Sequence, residues 1–544
     1  MLVYLKMYLL FVIFSFVFSV CVNGAVLKND LFRLDIVHYN DFHARFEETA
    51  VFYPVCKSND TSCLGGFARL YYEIKTLLKE KPGALLLNAG DTFQGTYWYT
   101  LLKWNVTQKF INLLPNDAHA IGNHEFDDGV AGLAPYLAAL QAPVVAANID
   151  TSLEPSLNGL FKPHIILERN GRRIGIIGLT TTETRTSSSP DKVKFLDPIA
   201  AVQRQAQNLT DQGVDIILVL SHCGLPIDKK IASSVGENID VIIGGHSHSL
   251  LWNGNSPSKE HVEGPYPVLV KTEANPDHEV LIVTAASFTK YLGNLTVYFD
   301  QMGNMKDFSG EPVFLNRSIP EDPEIKAILK PFSEKLHTFV NEKVGSVEDN
   351  LLARPCGSQE CAIGDFVADA LLDATKEMHV SNLTHVAFLL RNMMRGSIPK
   401  GDITRGDVIN VLPFTNTAAT FALQGKYLID AFRNCMGNYW VANPFQGPWM
   451  PQVGGLRVTL NLRDTLTIKV FVKEGEEFVE LDPEEEYQVT TFNFIIKGGN
   501  GFDMLKNHGR NLTIVGKDSD ILERYVRKKS PIVPSLDNRL TVIN

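Results

Sequence analysis

Among 544 residues there is no C-x-x-C pair, no internal repeat, no low-complexity segment and no surplus of positive charge. Against 61 acidic residues stand 51 basic ones, a formal net charge of −10. That balance implies no nucleic-acid-binding surface, and an anionic ligand would need local positive charge from a metal or a few arginines. Cysteines number seven. Cys21 lies in an apolar leader, Cys56 and Cys63 are seven apart, Cys356 and Cys361 five apart, and Cys223 and Cys435 are left over. Without C-x-x-C spacing or a nearby histidine, metal ligation by cysteine is disfavoured, and two local disulfides, Cys56–Cys63 and Cys356–Cys361, are expected. The C-terminal "SLDNRLTVIN" lacks the small-residue site and apolar tail of a lipid-anchor signal, which predicts a soluble mature protein.

What is present points to an exported globular chain. Composition is 45% apolar and 21% charged, enough for more than one core, so two large domains are expected. The opening "MLVYLKMYLLFVIFSFVFSVCVNGA" has Lys6, an uncharged apolar run from Met7 to Val22, and small residues at Gly24 and Ala25. It reads as a signal peptide over 1–24, because the run is short for a retained membrane anchor. N-x-S/T sequons at Asn59, Asn105, Asn208, Asn294, Asn316, Asn382 and Asn511 fit a secreted glycoprotein.

From about 31 to 300, short apolar runs such as "LDIVHYN", "ALLLNAGD", "DIILVLSH" and "DVIIGGHSH" alternate with helical stretches. Runs bounded by Gly, Asn and Asp are buried strands of an α/β domain, assigned here to residues 25–320. The stretch "DPEIKAILKPFSEKLHTFVNEKV" has helical apolar spacing despite Pro331 and predicts a linker helix within 321–345. Residues 346–544 carry their own strands, "HVAFLL", "TFAL", "LRVTLNL", "TIKVFV" and "YQVTTFNFII", and form a separate α+β domain.

Five polar clusters fall at predicted strand ends in the first domain, where sites of α/β folds gather. They are "NDFH" with Asp41 and His43, "NAGD" with Asp91, "GNHEFD" with Asn123, His124 and Asp127, "LSHCG" with His222, and "GGHSH" with His246 and His248. Singly, each is served by a capping Asp, a turn Asn or a core His. Five in a row at corresponding ends are not. Asp, Asn and His without Cys suit a pair of divalent ions such as Zn, Mn, Mg or Ca. Two such ions about 4 Å apart share a carboxylate, clamp a phosphoryl group and activate the attacking water; Asp91 is the candidate bridge.

These motifs resemble the dinuclear metallophosphatase superfamily. More closely, "NDFHARFEET", "LLLNAGDTFQGTYWYT", "GNHEFDDGV" and "KYLGNLTVYFD" resemble the secreted and ecto 5′-nucleotidase family, which includes the salivary apyrases of blood-feeding insects. The resemblance covers nearly the whole mature chain. It implies a calcineurin-like sandwich followed by a nucleotide-binding domain, with one metal on Asp41, His43 and Asp91 and another on Asp91, Asn123, His222 and His246. His248 stands where some members hold an extra ligand. His124, oriented by Asp127, would stabilise the phosphoryl transition state or leaving oxygen; Glu125 and Asp128 would complete the turn. Phe414 and Phe494, ordinary core residues by type alone, would sandwich the base.

The chain departs from that pattern in the second domain. "LRNMMRGSI" keeps Arg395 but has Leu390 where the 5′-nucleotidases carry Asn, so that Asn392 replaces it only with a shift. Gly357 stands where AMP-cleaving ecto-enzymes carry Arg, and Asn500 replaces the acid that would hold the ribose hydroxyls. Each lost contact is worth about 1–3 kcal/mol. The expectation is therefore a secreted, metal-dependent apyrase taking ATP and ADP to AMP, which in a blood feeder's saliva would blunt platelet aggregation. The alternatives are a soluble 5′-nucleotidase acting on AMP, and a nucleotide- or integrin-binding protein using Arg405-Gly406-Asp407 on the same scaffold.

Overall fold

The computed structural model describes residues 31–50, 56, 62–437, 450–461 and 468–543. The leader and Asn59 lie outside them. Two large sheets form the body of the first domain. One has the strand order Met305–Gly310, Tyr291–Phe299, Phe32–Tyr39, Leu85–Asn88, Ala118–Ala120, Val144–Val145, with Val313–Phe314 pairing beside Tyr291–Phe299. The other runs Val268–Lys271, Glu279–Val283, Val241–Gly244, Ile216–His222, Arg172–Thr180, His164–Arg169. In both the middle strands are parallel and an antiparallel strand closes an edge.

The sequence explains the burial. Ile216–His222, "IILVLSH", is buried at every position, as a central parallel strand covered on both faces must be. Leu34, Ile36, Leu85 and Leu87 of the first sheet share one core with Ile174, Ile176, Leu218 and Ile242 of the second. Each such side chain contributes about 1.5–3 kcal/mol. The opposite face of the first sheet, through Val37 and Leu86, packs on the helices Phe67–Glu80, Tyr97–Ile111 and Gly129–Ala139.

The helix Pro323–Val340 joins the domains and tolerates Pro331 in its interior. Asp322 caps it, accepting the N–H groups of Glu324 and Ile325 at 3.0 and 3.1 Å, with Pro323 at a position where no N–H is needed. Its Ile325, Leu329, Leu336 and Val340 belong to the first domain's core. Beyond it, Pro451–Gly454, Thr384–Leu390, Glu486–Phe492, Thr417–Gln424 and Arg510–Lys517 form one sheet, and Glu477–Glu480, Ile468–Glu474, Leu456–Asn461 and Leu540–Ile543 a second. The expected strand "YQVTTFNFII" stops at Phe492, and Asn493–Ile496 turns into a helix. Direct contacts cross the domains: Tyr97 N–H donates to Asn410 Oδ1 at 3.3 Å and Thr100 Oγ1 to the Pro413 carbonyl at 2.8 Å.

Both expected disulfides are formed, Cys56–Cys63 and Cys356–Cys361, while Cys223 and Cys435 are free and buried. Among the described residues no helix is long and apolar enough to cross a membrane. The sequon residues Asn105, Asn208, Asn382 and Asn511 are exposed, and Asn316 is half-buried. Asn294 is half-buried inside a strand, with its Oδ1 taken by Lys81. Because burial pushes the Cys223 and Cys435 thiols up, iodoacetamide should leave both unlabelled in the native protein and label both after denaturation without reductant. Mass spectrometry of the labelled peptides reads this directly.

Candidate active site

The parallel strands of both sheets end at one place. Phe32–Tyr39 delivers Asp41 and His43, Leu85–Asn88 delivers Asp91, Ala118–Ala120 delivers Asn123 and His124, Ile216–His222 ends on His222, and Val241–Gly244 delivers His246 and His248. Asp41, His43, Asp91, His246 and His248 all have φ between 48° and 71°, a left-handed conformation that non-glycine residues rarely adopt and that concentrates at functional sites. Gly90 makes the approach possible: at φ 90°, a Cβ there would lie 2.8 Å from the Gly122 nitrogen and 2.9 Å from His222 Nδ1.

The side chains form two groups that meet at Asp91. Asp41, His43 and His248 bring ligand atoms together on one side, and Asp91, His222 and His246 on the other. Asp91 Oδ2 lies 3.6 Å from His43 Nε2 and 3.1 Å from His222 Nε2. Each of these imidazoles is oriented through its other nitrogen: His43 Nδ1–H donates to the Phe93 carbonyl at 3.1 Å and His222 Nδ1–H to the Ala89 carbonyl at 2.7 Å. Both Nε2 lone pairs therefore face the centre, the arrangement a metal-ligating histidine requires. His246 donates its backbone N–H to Asp41 Oδ2 at 3.0 Å, and its Nε2 is 3.2 Å from Glu183.

Three orphaned atoms test whether cations fit here. Asp41 Oδ1, Asn123 Oδ1 and His222 Nε2 are buried without a hydrogen-bond partner. Carboxylate and amide oxygens and an imidazole nitrogen are the donor types that a borderline-hard divalent ion takes. The charges agree. Burial opposes ionisation of Asp41, yet His248 and His222 hold its carboxyl down at about 2. Burial also opposes protonation of His222, yet Asp91 and Asp41 pull it up to about 10. The pocket is electron-rich and draws in positive charge.

Beside this centre His124 Nδ1–H donates to Asp127 Oδ2 at 2.6 Å, and Ser188 Oγ–H to Asp127 Oδ1 at 2.6 Å. Burial disfavours the imidazolium, but Asp127 and Asp91 outweigh it and raise His124 above its ordinary value. Glu125 does far more than complete a turn. It accepts the backbone N–H groups of Asp91, Thr92, Phe93 and Gly122 at 3.0, 2.6, 3.1 and 2.6 Å and so fixes the loop that carries Asp91. Asp128 is bound by Tyr99 and Lys103 at 2.8 and 2.9 Å.

The second domain closes a cleft of about 450 Å³ over the centre. Arg395, Asn392, Phe414 and Phe494 line it, as do Arg354 and Arg391, whose charge the sequence reading did not single out. Arg395 donates to His124 Nε2 at 2.6 Å and lies 5.2 Å over the Phe414 ring. Leu390 is wholly buried, whereas Asn392 faces the cleft with its Oδ1 unpaired. Asn500 is not among the cleft-lining residues; its amide is buried without a partner. Arg405 of the Arg-Gly-Asp tripeptide is bound by Glu523 at 2.9 and 3.1 Å and paired with Glu342 at 2.7 Å. Asp407 caps the helix Arg405–Val411 from inside.

Two substitutions separate these roles. His124→Ala should lower kcat by about 10²–10⁴-fold with bound metal, measured by elemental analysis, unchanged. Glu125→Ala leaves four N–H groups unpaired, so it should cost more than about 3 kcal/mol in denaturant unfolding and lose metal as well as activity.

The comparisons with known proteins agree with this geometry. Residues 34–250 match the calcineurin-like phosphoesterase family and 343–507 the 5′-nucleotidase C-terminal domain. An apyrase of Tabanus yao is 40% identical over 527 residues, 94% of each chain, and an apyrase of Aedes aegypti 38% identical over 544 residues, 95% of each. The structure of a 5′-nucleotidase precursor from Thermus thermophilus superposes with a TM-score of 0.86 at 34% identity, covering 94% of this chain and 100% of that one. With both domain models matched in order and an apyrase 40% identical over 94% of the chain, the chain belongs to the 5′-nucleotidase family of metal-dependent nucleotide phosphohydrolases.

Proposed function

We propose that this chain is a secreted apyrase that hydrolyses ATP and ADP to AMP and phosphate. The observation that carries the preference over AMP is Gly357. It lines the cleft, and nothing lies within 4 Å of where its side chain would be, so the grip that an arginine would give a monophosphate is missing. Arg395, Arg391 and Arg354 remain to meet a longer phosphate chain, and Arg groups suit bidentate phosphate contacts.

Asp41, His43, Asp91, Asn123, His222, His246 and His248 are the residues that would hold two divalent ions. Bound there, those ions would supply positive charge against the phosphoryl oxygens. Asp127 keeps the His124 Nδ1 proton in place and, with Asp91, favours the imidazolium; with Arg395 turned from Nε2 to the phosphate chain, a protonated Nε2 would donate to the oxygen that departs with AMP. Ser188 holds Asp127 in register. Arg395, which contacts His124 Nε2 directly, would bind the phosphate chain and neutralise the charge that gathers as the bond breaks. Phe414 and Phe494 would take the base between them.

The leader at 1–24 and the exposed sequons at Asn105, Asn208, Asn382 and Asn511 support export and glycosylation. The names of the insect relatives support the activity, and delivery into blood would let ADP removal blunt platelet aggregation.

Phosphate release from ATP, ADP and AMP in parallel tests the reading. Chelator-sensitive release from ATP and ADP, with little from AMP, is expected; turnover of AMP as fast as ADP would reassign the chain as a 5′-nucleotidase. Gly357→Arg should lower KM for AMP about tenfold, equivalent to about 1.4 kcal/mol of binding, with little change for ATP.

A further inference from the structure

Outside the cleft, a second group of carboxylates lies where the C-terminal strand meets the disulfide-closed loop. Glu360, Asp365 and Asp537 each bring an oxygen within 4.8 Å of the others. Glu360 precedes Cys361 in the loop closed by Cys356–Cys361, Asp365 stands in the first turn of the helix Ala362–Met378, and Asp537 leads into Leu540–Ile543. Glu360 binds the incoming chain, its two oxygens accepting the N–H groups of Asp537 and Leu540 at 3.0 and 3.1 Å.

Asp365 has no such partner. It is 4% exposed, and neither carboxylate oxygen has a hydrogen bond. The guanidinium beside it, Arg539, is engaged elsewhere: with Asp369 at 2.6 and 2.9 Å and with Asp537 Oδ1 at 2.6 Å, leaving Asp365 Oδ2 at 4.0 Å. Four carboxylates, Glu360, Asp365, Asp369 and Asp537, thus face one guanidinium. A buried carboxylate without a partner is unfavourable and is relieved by a proton or a cation. Burial pushes Asp365 up to about 8, against the opposing charge of Arg539 and with the help of Glu360, so a proton occupies it at neutral pH when no cation does.

We propose that Glu360, Asp365 and Asp537 form a structural divalent-cation site that takes Ca²⁺. The donors are all carboxylate oxygens, without nitrogen or sulfur, which disfavours Zn²⁺. They come from a loop, a helix start and an exposed approach to a strand, an irregular set that the flexible coordination of Ca²⁺ accepts and the near-ideal octahedron of Mg²⁺ does not. The site is separate from the dinuclear centre. It ties the C-terminal strand to the loop that carries Gly357, so a bound ion would stiffen one wall of the cleft.

Calorimetric titration of Ca²⁺ into the full chain, its dinuclear centre already loaded with Zn²⁺, tests this. The wild type should bind one Ca²⁺ and release close to one proton at pH 7, read from buffers of different ionisation enthalpy. Asp365→Asn should lose that binding, Glu360→Gln and Asp537→Asn should weaken it about tenfold or more, and Asp365→Asn should keep its ATP hydrolysis. Ca²⁺ should raise Tm in the wild type and not in Asp365→Asn. No Ca²⁺ binding by the wild type, or the same stoichiometry in the wild type and in all three variants, would overturn the proposal.

Discussion

Asp91 is the point on which the first domain's architecture converges, a buried carboxylate held between two imidazoles that belong to different sheets. Its Oδ2 faces His222 and His43 at 3.1 and 3.6 Å, and its Oδ1 accepts the His124 N–H at 2.9 Å. Taking such a group out of water costs several kcal/mol. Glu125, with four backbone donors, and the left-handed backbone at Asp91 keep it from relaxing toward a less costly position. The stability of the sandwich core is what sustains this strain: the strand ends cannot move without disturbing side chains that are fully buried. Cations held here would complete a balance that the protein leaves open at Asp41 Oδ1, Asn123 Oδ1 and His222 Nε2.

The division of labour between the domains follows from where these constraints fall. The residues that would hold the metals all come from the first domain, His222 as the last residue of its strand and the others from short loops directly after strands. The second supplies the outer wall of the cleft, with Arg395 reaching across to His124. Gly357, Asn392 and Phe494 line the cleft from the second domain, apart from the loops that carry the first domain's carboxylates and imidazoles, and relatives that carry the names apyrase and 5′-nucleotidase share the scaffold.

Much of this was legible in the sequence because the ligand-bearing motifs are local. Asp41 and His43 are two apart, Asn123, His124 and Asp127 span five positions, and each follows an apolar run that announces a buried strand. Glu125 was visible in the same motif yet its role was not, since its donors Asp91, Thr92 and Phe93 lie more than thirty positions upstream. Glu183 and Ser188 come from a loop with no apolar pattern to place it. The strand expected to continue through "FNFII" ends at Phe492 because Asn493 begins a helical turn that leads to the glycines at 498–501. Apolar periodicity alone does not separate a buried strand from a buried helical turn.

On this reading Asp91 would be shared between two divalent ions. Anomalous diffraction from crystals of the protein soaked in Mn²⁺ measures it most directly. Two peaks about 4 Å apart are expected, one beside His43 and one beside His222, with the Asp91 carboxylate between them. A single peak, or two with Asp91 bound to only one of them, would contradict it.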